Sequence, residues 1–294
     1  MDKRFQLQFI NSIENALLRD AIAQWGISKR ALTAIKFDGG TLLVNGEEKN
    51  VRHSLKIGDV VTIIFPQEEV SEGLAAQEGT LAIVYEDEAV LVLDKPPFMN
   101  SIPSKEHLNG SIANYVYGYF VQQQLASTVH IVTRLDRDTS GLMVIAKHRH
   151  IHHIMSGQQK NGSIHREYEA IVEGYVEQDQ QSIILPIGRK DTSIIEREVR
   201  ADGQFAHTDV SVIARKNNLT HIRLKLHTGR THQIRVHLAH IGHPLVGDEL
   251  YGGSRTLLNR QALHCRNIQF EHPLTKETMQ FCSNLPPEIS NLIN

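Results

Sequence analysis

Two amphipathic helical patterns open the chain. Residues 12–25 and 28–37 each carry apolar side chains at helical spacing, and Ser12 and Ser28 stand where helix-capping residues belong. Alternating apolar residues then flank an Asn-Gly pair at 45–46, which predicts a β-hairpin because both residue types tolerate the positive φ angles of the turn. A last apolar strand closes this part of the chain. The pattern therefore predicts a small domain of two helices and a short sheet.

From residue 79 onward, strands and helices alternate without a repeating period. The pattern predicts two short strands around a turn at 86–88, an apolar strand at 142–146, and an alternating strand at 165–174. A further strand ends at Leu226 and leads through a turn into a helix. No glycine-rich phosphate loop is present, so nucleotide-driven chemistry is not expected. This part therefore predicts one larger domain of strands and helices.

Charge separates the two parts. The chain of 294 residues has 33 acids and 31 bases, a net charge of −2, yet residues 1–66 carry more bases than acids. The segment 67–78 holds no base and four acids, Glu68, Glu69, Glu72 and Glu78. A run of this kind is typical of a solvated linker. We therefore expect one domain at 1–66, an acidic linker at 67–78, and a second domain at 79–294.

Composition narrows the class of protein. Hydrophobic residues make up 40% of the chain, which supports packed cores and excludes wholesale disorder. The two cysteines, Cys265 and Cys282, are too few for a disulfide framework and indicate a reducing compartment. The first ten residues contain no apolar signal core, and no apolar run approaches the roughly 20 residues that span a bilayer. We therefore expect a soluble, cytoplasmic protein.

Three basic residues, Lys29, Arg30 and Lys36, lie off the apolar face of the second predicted helix. By charge alone they fit an ordinary solvated helix face. The order of elements, however, resembles the small RNA-binding module first described in ribosomal protein S-four. That resemblance rests on the helix opening at Ser28, the turn at 43–46, and the run from Leu55 to Asp59. It implies that the basic side chains bind RNA phosphates. Such contacts set the affinity for RNA and the register of the protein on it, but they do not select a nucleotide sequence.

Candidate chemistry is carried by three segments of the second part. Asp136 lies just before a tight turn and an apolar strand, between Arg134 and Arg137, so its carboxylate is held rigidly beside two cations. Tyr168 lies on one face of an alternating strand, and Arg230 lies in the turn before the last predicted helix. Taken singly, these features also fit surface ion pairs and a core aromatic residue.

Histidines invite a metal hypothesis. His237, His240 and His243 are spaced three apart, and residues 148–153 read HRHIHH. The spacing of three, however, continues past the predicted helix end, and no cysteine lies nearby. Neutral histidine is also an ordinary hydrogen-bonding group, and RNA sites use it for stacking. We therefore expect no metal, with a zinc hydrolase kept as a rival that elemental analysis would test.

Together these segments resemble the RluA-type pseudouridine synthases, which isomerise uridine to pseudouridine in structured RNA. The resemblance runs from about Leu81 to Pro287. Its most specific parts are the run RLDRDTSG at 134–141 and the run TGRTHQIRVH at 228–237. It implies an α+β fold, in which a catalytic domain of mixed, mainly antiparallel β-sheet with flanking helices follows the small αβ RNA-binding domain.

The same resemblance implies roles for four side chains. Asp136 matches the nucleophile, which attacks either the base ring or the anomeric carbon of ribose. Arg230 matches the guanidinium that keeps this carboxylate ionised. Tyr168 matches the tyrosine that stacks under the base and can assist proton removal after the new bond forms. Arg134 matches the residue that fills the gap left by a flipped-out nucleotide. The reaction neither adds a group nor removes electrons, so no cofactor is expected.

Two departures from the family pattern lie near these residues. Thr133 stands where the family usually has histidine, and the segment 95–103 differs from the usual Lys-Pro-Ala-Gly…His-Pro pattern. They leave room for a non-catalytic RNA-binding or ribosome-assembly factor on the same fold, although such a factor has no need of Asp136, Tyr168 and Arg230. The expected partner is RNA, ribosomal first and transfer RNA second, bound by a monomer without a membrane, metal or cofactor.

Overall fold

The computed structural model describes residues 4–70, 73–104 and 106–293. Its helices are α1 (Leu18–Gln24), α2 (Lys29–Phe37), α3 (Ile112–Gln122), α4 (Arg149–Lys160), α5 (Gln233–His240) and α6 (Pro287–Ser290), with a 3-10 turn at Glu249–Tyr251. Its strands are β1 (Gln6–Ile10), β2 (Ala16–Leu17), β3 (Thr41–Val44), β4 (Glu47–Glu48), β5 (Ser54–Leu55), β6 (Val60–Ile64), β7 (Ile83–Glu86), β8 (Val90–Lys95), β9 (His130–Ile131), β10 (Ser140–Ala146), β11 (His165–Glu173), β12 (Gln180–Ile184), β13 (Ile187–Arg189), β14 (Arg197–Val199), β15 (His207–Lys216), β16 (Leu219–Leu226), β17 (Leu263–Glu271) and β18 (Thr278–Cys282). None of the helices found in these ranges combines the length and apolarity that crossing a bilayer needs.

The N-terminal part builds a four-stranded antiparallel sheet, in the order β1-β6-β3-β4, which shares a core with α1 and α2. The predicted hairpin is confirmed, because Asn45 and Gly46 have φ angles of 51° and 85° between β3 and β4. The predicted cap of α2 is confirmed as well, since the Ser28 hydroxyl accepts a hydrogen bond of 3.2 Å from the Ala31 amide. Strand β1 is an addition that the hydrophobic pattern did not indicate.

The first helix begins later than predicted. Ala16–Leu17 forms the short strand β2, which pairs with β5, and α1 starts only at Leu18. Ser12 therefore does not cap the helix, which has no side-chain cap. Asn15 has a left-handed φ of 59°, a conformation that cannot continue a right-handed helix. Apolar spacing alone could not show that this segment finds a strand partner about forty residues further along the chain.

The second part is built on one ten-stranded sheet. Its main path runs β12-β15-β16-β11-β17-β10-β8-β7, with β9 beside β10 and β18 beside β17. The pairing of β10 with β17 is parallel, and the other pairings within this sheet are antiparallel. Helix α4 packs near β10, and α5 packs near β15. The predicted α+β class, with a mixed and mainly antiparallel sheet, is confirmed.

A glycine makes the parallel contact of β10 with β17 possible. Gly141 lies opposite Cys265 with a φ of 112°, and a Cβ at this position would lie 2.3 Å from the Cys265 carbonyl oxygen. Only glycine fits such an approach. On the other side of β17, Cys265 pairs with Tyr168 of β11. Three adjacent strands therefore bring the turn that holds Asp136 close to Tyr168.

The acidic segment is not fully solvated, contrary to the prediction. The side chain of Glu68 is only 5% exposed, and its oxygens lie 2.6 Å from His130 Nε2 and 3.2 Å from His148 Nε2. Burial by itself raises the pKa of Glu68. The hydrogen bonds from His130 and from the Arg149 amide, together with the positive charge that the histidines carry once protonated, outweigh burial and lower this pKa to about 2. The other acids of the segment are exposed, except that Glu72 lies outside the described residues.

Aromatic rings join the two parts of the chain beside Glu68. The ring of Phe5 stacks on His148 at a centroid distance of 4.4 Å, and Phe65 packs edge-on against the same imidazole at 4.9 Å. Burial lowers the pKa of His148 to about 4, so the imidazole is neutral near pH 7 and packs as an aromatic group. The N-terminal sheet therefore contacts the large sheet domain directly.

Candidate active site

An open cleft of about 1130 Å³ is lined by the turn before β10, by β11 and by the turn before α5. Four residues singled out in the sequence line this one cleft: Arg134, Asp136, Tyr168 and Arg230. They come from three segments that are far apart along the chain. The volume is ample for a nucleotide, since pockets for small ligands occupy roughly 300–1,000 Å³.

Asp136 is fixed at the start of the turn before β10. Its carbonyl accepts a hydrogen bond of 3.2 Å from the Thr139 amide, and the neighbouring Leu135 side chain is buried. One carboxylate oxygen lies 3.2 Å from Nη1 of Arg235 and 3.8 Å from Nε2 of His232. The Asp136 side chain remains 29% exposed. The carboxylate is therefore held rigidly and can still be reached from the cleft.

Arg235 supplies the guanidinium beside Asp136. It lies on the buried side of α5 and makes two hydrogen bonds to Asp248, from Nε at 2.7 Å and from Nη2 at 2.8 Å. Burial by itself lowers the pKa of Arg235, but the carboxylates of Asp248 and Asp136 outweigh it and raise this pKa above its ordinary value. A planar guanidinium anchored in this way presents a fixed positive charge to the Asp136 carboxylate.

Arg230 does not pair with Asp136, although the sequence resemblance implied that it would. Arg230 is exposed in the turn before α5, where its Nε donates a hydrogen bond of 2.9 Å to the Phe205 carbonyl. Their positions explain the difference, because Arg230 stands in the exposed turn before α5, whereas residues 233–238 of the helix, Arg235 among them, are all buried. Both arginines belong to the same specific run, and only the packing of α5 shows which of them reaches the carboxylate.

Tyr168 is at once a core residue and a cleft residue. It is only 4% exposed, yet it lines the cleft. A β-bulge between Glu167 and Tyr168 shifts the register against β17, and bulges redirect the side chains next to them. Burial raises the pKa of the Tyr168 hydroxyl above its ordinary value. The phenol is therefore protonated at neutral pH.

Sequence reasoning missed His232 and Tyr251 as members of the site. His232 has a left-handed φ of 56° immediately before α5, and strained backbone of this kind concentrates at functional positions. Its Nδ1 lies 2.8 Å from the Tyr251 hydroxyl, while its Nε2 faces Asp136. The Arg235 guanidinium lies 4.9 Å from the centre of the Tyr251 ring. The one sequence signal for His232 is that it lies inside the run TGRTHQIRVH at 228–237, and Tyr251 follows that run by fourteen residues.

Lys95 is a third residue that sequence reasoning did not single out, and it lies behind the cleft. The side chain is 1% exposed, and its Nζ donates hydrogen bonds of 2.7, 2.8 and 3.0 Å to the carbonyls of Pro96, Met99 and Arg137. Burial lowers the pKa of Lys95 to about 7, although nearby acids act in the opposite direction. One buried side chain therefore ties the loop at 96–103 to the turn that carries Asp136.

The two departures from the family pattern occupy different environments. Thr133 is buried, and its hydroxyl accepts a hydrogen bond of 2.9 Å from the Val144 amide, so it supports β10. The loop at 96–103 instead lines the cleft. Within it, the Ser101 hydroxyl donates to the Leu135 carbonyl at 2.7 Å and accepts from the Leu135 amide at 3.1 Å. The loop is therefore the departure that faces the cleft.

The basic residues predicted to bind RNA are available to an anion. Arg134 is exposed in the cleft, and none of the described residues bonds to its guanidinium. Lys29, Arg30 and Lys36 are exposed along α2 without an ion pair to any part of the chain that the structure describes. Lys36 Nζ lies 4.6 Å over the ring of Phe37. These cations form two separate groups, one at the cleft and one on the N-terminal part.

The three histidines considered as zinc ligands do not converge. Both ring nitrogens of His237 are engaged, Nδ1 with the Thr208 hydroxyl at 3.0 Å and Nε2 with a backbone carbonyl at 2.9 Å. His243 bonds through Nδ1 to the carbonyl of Glu173, and His240 is exposed. Helical spacing of three does not bring them together because His243 lies beyond the end of α5.

A different group has the spacing of metal ligands among the described residues. It consists of His207, Asp209 and His227, whose ligand atoms lie within 4.8 Å of one another. Both imidazoles already bond to the carboxylate, at 3.0 and 2.6 Å, and the Ser182 hydroxyl donates to it at 2.6 Å. These hydrogen bonds satisfy the Asp209 oxygens within the protein, so the group has an ordinary structural explanation.

Comparison with known proteins identifies the family. Residues 89–240 match the RNA pseudouridylate synthase family. A Bacillus subtilis protein named uncharacterized RNA pseudouridine synthase YjbO is 51% identical over 94% of this chain and 98% of its own length. The ribosomal large subunit pseudouridine synthase D of Pseudomonas aeruginosa is 39% identical over 87% of this chain and 83% of its own length. This chain belongs to the RluA-type RNA pseudouridine synthases.

Solved structures agree with the fold of this synthase. Human RNA pseudouridylate synthase domain containing 1 is similar with a TM-score of 0.60 at 23% identity, covering 72% of this chain and 89% of that one. Human RNA pseudouridylate synthase domain containing 4 gives a TM-score of 0.58 at 19% identity. At these identities the likeness supports the α+β fold. The assignment of individual residues of this synthase to chemical roles rests on its own geometry.

Proposed function

We propose that this synthase converts specific uridines of structured RNA, ribosomal RNA first, into pseudouridine with Asp136 as the nucleophile. The observation that carries the proposal is a reachable Asp136 carboxylate, 3.2 Å from the anchored Arg235 guanidinium, in a cleft that Tyr168 also lines. Ribosomal RNA is the first candidate because several relatives are named ribosomal large subunit pseudouridine synthase D. Transfer RNA is the second candidate.

A carboxylate suits a reaction that breaks one bond to the base and makes another. The glycosidic carbon–nitrogen bond breaks, the base turns, and its carbon 5 joins the anomeric carbon while the proton on carbon 5 is lost and the ring nitrogen gains one. An Asp136 oxygen can hold either the base ring or the ribose during this exchange, as a covalent intermediate. Atoms and electrons balance within the nucleoside.

The groups around Asp136 have separate roles in stabilising charge and in holding the base. Arg235 stabilises the negative charge that makes the carboxylate a nucleophile, and Asp248 keeps the guanidinium in place. Tyr168 presents a buried ring to the cleft, where a flat base can stack on it. The raised pKa of Tyr168 keeps its hydroxyl protonated, which favours stacking over proton abstraction in the free enzyme.

A uridine inside a helix must leave its stack before it can reach this cleft. Flipping a nucleotide out of a duplex costs a few kcal/mol, and protein groups that enter the gap offset part of that cost. Arg134 is placed for this role, because it is exposed in the cleft and has no bond to any described residue. Arg230, also exposed there, adds positive charge along the path of the RNA backbone.

Residues 1–66 are proposed to dock the RNA through Lys29, Arg30 and Lys36. These side chains are exposed and lack ion-pair partners among the described residues, and contacts from such groups to phosphates set affinity without choosing a sequence. Residues 67–78 would then connect this docking domain to the catalytic domain at 79–294. Glu68 anchors the connection on the catalytic side.

The decisive experiment compares Asp136→Asn with the double variant Lys29→Glu/Arg30→Glu on ribosomal RNA lacking modifications. Single-turnover assays at saturating RNA should show no pseudouridine with Asp136→Asn, while its RNA affinity and melting temperature stay near wild type. The double variant should bind RNA more weakly and keep its rate once RNA saturates. Near wild-type product from Asp136→Asn would refute the nucleophile. Absence of product with the wild-type protein would instead favour a non-catalytic RNA-binding factor.

A further inference from the structure

A second recess, of about 300 Å³, adjoins the catalytic cleft. Gly229, Arg230 and Thr231 line both cavities, whereas Asp136 and Tyr168 line only the larger one. The remaining walls of the small recess come from β13, from Arg197 at the start of β14, and from the turn at 202–204. None of the chemical steps described above uses this space. It continues the cleft past Arg230, the residue that does not pair with Asp136.

Two arginines from one side of this recess lie next to each other. In the two-stranded ribbon of β13 and β14, Arg189 lies directly opposite Arg197. Like charges at directly opposed positions of an antiparallel pair repel one another and destabilise the ribbon. Arg197 donates to the backbone carbonyls of Ile195 and Glu196, and neither arginine has a carboxylate partner among the described residues. The ribbon therefore holds an uncompensated positive pair.

The other bases of the same ribbon are compensated. Lys190 forms an ion pair with Glu196 at 3.0 Å. Arg200 contacts Asp191 at 2.7 Å and binds Asp202 through two nitrogens, at 2.5 and 2.9 Å. Asp202 is the acidic residue in the lining of the recess, and Arg200 neutralises it. Positive charge is therefore left unpaired at the recess and nowhere else on this ribbon.

We propose that Arg189, Arg197 and Arg230 bind a phosphate group of the RNA strand that flanks the uridine being modified. Planar guanidinium groups bind phosphate oxygens through paired, charge-assisted hydrogen bonds, and an anion between the opposed arginines removes their repulsion. Arg230 lies at the boundary of the two cavities, so a strand that places its nucleotide in the cleft would pass the recess next. The inference rests on the proposed function, because it names a part of that RNA substrate.

The test measures binding of the whole protein to fluorescein-labelled pentauridylate by fluorescence anisotropy. Affinity is measured between about 50 and 200 mM salt, because contacts to phosphates weaken as salt rises over this range. Arg189→Ala should weaken binding about tenfold at low salt and reduce the slope of log affinity against log salt by about 0.7. Arg189→Lys should restore most of the slope because it keeps the charge. Arg223→Ala is the matched control, since Arg223 is 52% exposed and lines neither cavity.

A pentauridylate with uncharged methylphosphonate linkages provides the second arm. It should bind wild type more weakly than the natural probe does, and Arg189→Ala should lose most of this preference. Equal effects of Arg189→Ala and Arg223→Ala, an unchanged salt slope, or equal binding of both probes would overturn the inference. If inorganic phosphate displaces the probe and the protein does not prefer the charged oligomer over the uncharged one, the assignment to RNA is overturned. The recess would then be a simple anion site.

A turnover assay separates this inference from the proposed function. On unmodified ribosomal RNA, Arg189→Ala should be slower than wild type at limiting RNA, and the deficit should vanish when RNA saturates. A loss that persists at saturation would contradict a role in binding. Wild-type protein that binds the charged probe through Arg189 yet makes no pseudouridine would refute the proposed function and leave the phosphate site standing.

Discussion

Replacing Arg235 by lysine tests which arginine serves Asp136. Arg235 makes two hydrogen bonds to Asp248 and one to Asp136, and its side chain is 9% exposed while that of Asp248 is 2% exposed. A lysine keeps the charge but cannot bridge both carboxylates. Losing one charge-assisted bond in this buried place should lower the free energy of unfolding by about 2 kcal/mol, within a range of about 1.5–3 kcal/mol for such bonds.

The same change should slow the chemical step. If the lost contact with Asp136 removes about 2–3 kcal/mol from the transition state, the single-turnover rate falls roughly 30- to 150-fold. Arg230→Lys is the matched comparison, since Arg230 is exposed and its free energy of unfolding should change by less than about 0.5 kcal/mol. Urea unfolding and pseudouridine formation at saturating RNA measure both quantities. A normal rate in Arg235→Lys, or the larger rate loss in Arg230→Lys, would refute this assignment.

Two further changes probe the frame around the site. Gly141→Ala should lower the free energy of unfolding by about 2–4 kcal/mol, because its Cβ would lie 2.3 Å from the Cys265 carbonyl oxygen. Gly157→Ala, in the open part of α4, is the control and should raise the free energy of unfolding by up to about 1 kcal/mol. Equal melting temperatures of the two variants would contradict this prediction. Glu68→Gln should lower the free energy of unfolding by about 1–3 kcal/mol at pH 7, because it removes a buried carboxylate that accepts hydrogen bonds from His130 and the Arg149 amide. A carboxylate whose pKa is lowered in the folded state stabilises the fold above pH 4.5 and loses that effect as pH falls. Urea titrations should show the difference from wild type shrinking between pH 4.5 and pH 3, and a constant difference would disprove the linkage to Glu68.

Local chemistry accounts for the elements that the sequence predicted correctly. The Asn-Gly turn at 45–46, the Ser28 cap and the apolar strand β10 depend on backbone preferences and on burial of neighbouring residues, which short stretches encode. Asp136 could be proposed because it stands in a long, specific motif, and Tyr168 because it lies on one face of an alternating strand between the two motifs. Their meeting in one cleft follows from strand pairing through Cys265, which the motifs themselves do not state.

Long-range contacts decided the features that sequence reasoning misplaced or missed. The start of α1 depends on pairing of β2 with β5, and the burial of Glu68 depends on histidines about sixty to eighty residues away. The inward position of Arg235 depends on the docking of α5.

The sequence by itself therefore determined the composition of the site: a carboxylate, a tyrosine and several arginines, in segments with recognisable local structure. The tertiary structure decided which arginine faces the carboxylate, because the orientation of α5 is set by packing against a sheet assembled from distant strands. It also decided where charge remains unpaired, because the opposition of Arg189 and Arg197 exists only once β13 and β14 pair. Electrostatic energy depends on distances between atoms, and those distances are fixed by the folded chain.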